Sequence, residues 1–102
     1  MSQTSYRYTL HRQIPMPEAE ESLMLAIITV ECLHGTEQAR LDLSQELDPK
    51  TRTCVIDATT QVGKDCNRLF TGYLLREFGR ESFRVERLDR GLTLEKARDG
   101  IQ

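Results

Sequence analysis

Apolar and polar positions recur with two periods along the chain, and the clearest stretch is residues 53–89. It opens with Cys54-Val55-Ile56-Asp57-Ala58, a short β-branched run of strand length, and closes with a second, Phe83-Arg84-Val85-Glu86-Arg87-Leu88. Between them Cys66, Leu69, Phe70, Tyr73, Leu74 and Phe78 fall at i, i+3, i+4, i+7, i+8 and i+12, which is one face of a helix over 65–78. Asp65 is placed to cap that helix and Gly79 to end it. Strand, helix, strand makes a βαβ unit, right-handed if the two strands run parallel in one sheet.

Upstream, Tyr6, Tyr8 and Leu10 alternate with Arg7, Thr9 and His11, which predicts a half-buried strand over 6–14. Pro15 and Pro17 break it, and Glu18, Glu20 and Glu21 form an exposed acidic turn. Residues 22–33 are almost continuously apolar and rich in β-branched side chains. This predicts a central strand covered on both faces, followed by a turn at His34-Gly35.

Residues 36–47 carry both patterns. Thr36 could cap a helix whose face holds Ala39, Leu43 and Leu47, yet Ala39, Leu41 and Leu43 also alternate with polar residues as in a strand. Asp48-Pro49-Lys50-Thr51 suits a type I turn, so a hairpin into 53–58 is the preferred of the two. Residues 1–5 are expected to fray, and Thr93 to cap a short C-terminal helix bearing Leu94, Ala97 and Ile101. The chain thus reads as one small α+β domain over 1–102. Its predicted architecture is a mixed sheet of about five strands, one long helix (65–78) in a βαβ unit and a short C-terminal helix.

One consequence concerns self-association. A strand apolar on both sides needs cover on both sides, and the C-terminal segment is too short to shield Met24, Ala26 and Ile28 together with Tyr6 and Tyr8. A symmetric homodimer, through that sheet face or an edge strand, or a different protein partner, is expected to supply the cover.

Charge narrows the partners further. The formal net charge is −2, so no global field draws the chain to nucleic acid or an anionic membrane. The arginines of the C-terminal third are nearly cancelled by Glu77, Glu81, Glu86, Asp89, Glu95 and Asp99, which leaves no phosphate-tracking stripe. No run approaches the roughly 18 apolar residues of a membrane span, and the N-terminus lacks a signal-peptide pattern. Cys32, Cys54 and Cys66 are odd in number, which favours reduced thiols in a cytoplasmic setting over a disulfide framework.

Candidate chemistry concentrates between strand and helix. Ala58-Thr59-Thr60-Gln61-Val62-Gly63-Lys64-Asp65 has the placement of a phosphate loop, but Ala58 stands where the first glycine belongs and Asp65 where a hydroxyl would hold magnesium. An ordinary strand-to-helix loop accounts for it. A generic anion site at the helix start remains, with Asp57, Thr59, Thr60, Lys64 and Arg68 as the candidate ligand-binding residues. Asp57 is equally suited to bonding loop amides or capping the next helix. Cys32, His34 and His11 lack metal-ligand spacing, so no metal or cofactor is expected. Cys66 with His34 is the one nucleophile–base pair to name, and the apolar helix face already explains Cys66.

Residues 54–88 resemble the second half of a STAS domain, the small bacterial regulator of the anti-sigma-factor antagonist type. In that family a strand ends in V-x-D-L-S and a D-S-S-G-L motif opens a helix. Asp57 and Asp65 would match the two aspartates and Leu69 the leucine, while Cys66, Asn67 and Arg68 replace Ser, Ser and Gly. The resemblance implies a non-catalytic partner-binding domain without the phosphorylatable serine, and it prefers a helix at 36–47. The expected function is therefore a small interaction or regulatory module with no catalytic residues. The alternative is a small-anion or metabolite binder, or an enzyme, acting through the 57–68 loop.

Overall fold

The computed structural model describes residues 3–90. Four strands and three helices follow in the order β1 (Gln3–Leu10), α1 (Met16–His34), α2 (Thr36–Asp42), β2 (Gln45–Asp48), β3 (Thr53–Asp57), α3 (Gln61–Phe78) and β4 (Phe83–Arg90). The sheet order is β2-β3-β1-β4 and every neighbouring pair is antiparallel. β3 and β4 both flank β1 and so run parallel to each other without touching, a split βαβ arrangement. The predicted unit is thus present, with β1 inserted at its centre.

The α+β class holds, but the sheet has four strands, not five, and is antiparallel rather than mixed. The missing strand is 22–33, which lies within α1, a helix of 19 residues. The described chain therefore has two long helices, since α3 runs for 18 residues and starts one turn before the predicted 65. Pro15 and Pro17 do not form a loop. They open α1, where the first residues have no intrahelical N–H partner to lose, and Glu18 lies in the first turn where the helix dipole favours it. Residues 36–47 contain both halves of the ambiguity, the short helix α2 and then the short strand β2. β2 makes the expected hairpin into β3, pairing Gln45 with Ile56 and Asp48 with Thr53. The C-terminal helix predicted from Thr93 lies outside the described residues.

Register fixes the core. Tyr8 faces Cys54 on one side and Val85 on the other, and Tyr6 faces Ile56 and Arg87, so these residues share the sheet face under the helices. Tyr8, Leu10, Cys54 and Ile56 pack there against Ala19, Leu23, Ala26 and Val30 of α1 and Val62, Cys66, Phe70 and Leu74 of α3. The Tyr8 ring meets Phe70 edge-on, with centroids 4.9 Å apart. Its buried hydroxyl is satisfied by Asn67 Oδ1 and Thr71 Oγ1, each at 2.5 Å. Leu69 is only partly buried, while Phe70 is fully buried. The opposite sheet face carries Arg7, Thr9, Thr53, Asp57, Arg84 and Glu86, with Val55 and Leu88 interspersed, and Arg7 pairs there with Glu86 at 2.9 Å.

Arg52 holds the β1–α1 connection. It lies at φ 57° in the β2–β3 loop, and its guanidinium donates to the carbonyls of Leu10 (3.1 Å), His11 (2.7 Å) and Ile14. A planar fork serving three carbonyls is a task that lysine would perform poorly.

Candidate functional site

The strand-to-helix loop spends most of its polar groups on itself. The Asp57 carboxylate accepts the Thr59 amide at 2.8 Å, closing an Asx-type turn. Thr59 Oγ1 accepts from the Thr4 amide at 3.1 Å, which ties the loop to β1. Thr60, not Asp65, caps α3: its Oγ1 accepts from Gly63 N at 3.0 Å and donates to the Asp42 carbonyl at 2.9 Å. Gly63 is pressed so tightly on β3 that a Cβ there would stand 2.0 Å from the Asp57 carbonyl oxygen. Glycine at this point serves close packing of helix on strand. Asp57, Thr59 and Thr60 are thus engaged with backbone, and the candidate set divides.

Lys64 and Arg68 form the other half. They are exposed and point into a groove of about 390 Å3 between α3 and the ends of β1 and β4, lined by Thr4, Tyr6, Ala58, Lys64, Asn67, Arg68 and Arg87. Sequence reading missed Arg87, Tyr6, Thr4 and Asn67. The signal was present in β4, where Phe83, Val85 and Arg87 occupy alternate positions, placing an arginine on the side that faces the helices.

His34 and Asp65 make a second unforeseen link. His34 Nε2 lies 2.7 Å from Asp65 Oδ2, joining the end of α1 to the first turns of α3. The hydrogen bond from His34 holds the Asp65 carboxyl below its ordinary value of 3.8, helped by a hydrogen bond from Gln61 and by the nearby charge of Arg68. His34 is therefore not paired with Cys66. Cys66 is fully buried, and burial pushes its thiol up to about 11, while Cys54 is pushed up to about 12 by burial and by Cys66. Neither is poised as a nucleophile. Cys32 is exposed on α1. Among the described residues, no three His, Cys, Asp or Glu side chains gather in a group that could hold a metal.

Among the described residues, most of the exposed large apolar side chains lie on α1. Met24, Leu25 and Ile28 are 56%, 50% and 48% exposed, and with Cys32 they form a stripe opposite the buried stripe of Ala19, Leu23, Ala26 and Val30. Leu33 at the helix end and Leu41 on α2 extend the exposed apolar area. Met24 also borders a shallow groove with Leu23, Ile27 and Leu47 toward the β2 edge. No family model matches this chain, and no curated protein matches it either. No helix among the described residues is long and apolar enough to cross a membrane.

Proposed function

We propose that this chain is a small, non-catalytic interaction module that associates through the outer face of α1, as a symmetric homodimer. The observation that carries the reading is the stripe of Met24, Leu25 and Ile28, half-exposed in the middle of the longest helix. Isolated apolar residues on a surface need no account, but a contiguous stripe on a helix that already buries its other face does.

The interface moves from the sheet to the helix. Of the residues expected to need cover, Tyr8 and Ala26 are buried within the protein itself, while Met24 and Ile28 are left outside. The open sheet face is too polar to replace them. An antiparallel crossing of two α1 helices fits the charges. It keeps the acidic first turns, with Glu18, Glu20 and Glu21, apart, whereas a parallel crossing would bring them together. A patch confined largely to one helix about 28 Å long belongs at the small end of interfaces, below about 1,200 Å2 in total, so micromolar association is expected.

The resemblance of residues 54–88 to STAS domains points toward the same class, binding a protein without catalysis. The antiparallel sheet lends that resemblance no further support. Light scattering on the full chain tests the proposal. At tens of micromolar the protein should show a mass well above 11.8 kDa. Ile28→Glu should return it to the monomer with its circular dichroism still that of the folded chain, because the side chain is half-exposed. A wild-type mass of 11.8 kDa across that range would overturn the homodimer and leave a different protein as the occupant of the stripe.

A further inference from the structure

We propose that the groove between α3 and β4 is a binding site for a phosphate group, carried by a small molecule or free in solution. Its lining supplies donors: the cations Lys64, Arg68 and Arg87, the hydroxyl of Tyr6 and the amide of Asn67, while the carboxylate of Asp89 beside it takes the Thr4 hydroxyl and one edge of Arg87. In a chain of net charge −2, three cations border this one concavity.

The surroundings leave these cations free to take a ligand. Among the described residues Lys64 and Arg68 have no hydrogen-bonding or ion-pair partner, although Arg68 lies near enough to Asp65 to influence it. Asp65 itself is held by His34 and Gln61. Arg87 gives its Nε to Asp89 at 3.0 Å, and Thr4 Oγ1 reaches the same Asp89 oxygen at 3.4 Å. That single carboxylate holds Arg87 by its Nε edge and leaves the outer edge of the guanidinium for an incoming anion. Asn67 has its Oδ1 committed to the Tyr8 hydroxyl at 2.5 Å, which turns its amide nitrogen into a further donor.

Each cation has a reason to stand where it does. Lys64, Asn67, Arg68 and Thr71 follow at i, i+3, i+4 and i+7, so they form the side of α3 that looks past β1 toward β4. Arg87 is brought to the same side by its pairing with Tyr6. Three positive charges suit a dianion better than a single carboxylate, and two guanidinium forks match the tetrahedral oxygens of phosphate. Tyr6 and Ala58 offer an apolar floor for an organic remainder, and the volume is that of a small-molecule site. A nucleic acid strand is disfavoured, because three cations around one concavity offer no continuous track for a phosphate backbone.

Titration of the isotope-labelled full chain with inorganic phosphate, with glucose 6-phosphate and with glucose, at constant ionic strength, tests the site by amide chemical shifts. Saturable shifts confined to residues around Thr4, Ala58, Lys64, Asn67 and Arg87 are expected with both phosphates and not with glucose. Tighter binding of the ester than of phosphate would assign the site to a phosphorylated small molecule, and the reverse order to free phosphate. Lys64→Ala, a surface change that spares the fold, should weaken binding about tenfold, as should Arg68→Ala. Shifts that fail to saturate or spread over the surface would overturn the proposal. So would unchanged affinity in both variants, or stronger binding of a single-stranded oligonucleotide than of either phosphate. None of these side chains lies on the outer stripe of α1, so the result is independent of self-association.

Discussion

At Gly63 two effects of opposite sign meet on one Cα. Alanine is the better helix former by about 1 kcal/mol, so on propensity alone a methyl in the first turn of α3 would stabilise the protein. The methyl would however sit 2.0 Å from the Asp57 carbonyl oxygen and 3.0 Å from its carbon. The obstacle is strand backbone, which cannot rotate away, and Gly63 is pinned by its own bond to Thr60. Overpacking of this kind costs about 1–3 kcal/mol or more and should exceed the propensity gain. Gly63→Ala is therefore expected to be destabilising in denaturant unfolding, and a stabilising result would show that α3 sits farther from β3. The same contact explains why a glycine-lysine pair at a strand end imitated a phosphate loop in sequence. The lysine does face an anion-competent groove, but the glycine is there for the strand beneath it.

Among the elements, α3 was legible because its buried and exposed positions differ sharply, and β4 because Phe83 and Val85 alternate with charged residues. α1 was not, because its outer stripe is apolar as well. With Met24, Leu25 and Ile28 added to Leu23, Ala26 and Val30, the helical period vanishes into a continuous run, and Ile27, Ile28, Thr29 and Val30 lend it strand character. The boundary signals were the better guide: Pro15, Pro17 and the glutamates at one end, and Gly35 with φ 91° at the other. At 36–47 propensity could not choose, and the chain uses both options in succession. Of the site residues, Lys64 and Arg68 could be found from α3 alone, whereas Arg87 required the strand pairing. The link between α1 and α3 by His34 and Asp65 has a measurable signature. Asp65 has a folded-state pKa below its ordinary value, so its contribution to stability is complete above the unfolded value near 4. It is lost as pH falls through the lower, folded value. Asp65→Asn should therefore be less stable than wild type at pH 7, with the gap closing on acidification below about 4. A gap that stays constant down to pH 2 would remove the hydrogen bond from the account.

For the whole molecule, the distribution of surface matters more than any one group. The helices pack on one side of the sheet, the other side is polar, and both edges are managed: β2 is short, and β4 carries Arg84, Glu86, Arg87 and Asp89. Among the described residues the outer stripe of α1 is left uncovered within one copy, and its burial between two copies is the central claim. Isotope-filtered nuclear Overhauser spectroscopy on an equal mixture of labelled and unlabelled chain, at tens of micromolar or above, tests it most directly. The account predicts intermolecular cross-peaks from the methyls of Leu25 and Ile28 to Met24, Leu25 and Ile28 of the other copy, and none from Val55 or Leu88. Cross-peaks from the sheet face, or none from α1 at concentrations where the mass exceeds that of a monomer, would contradict it.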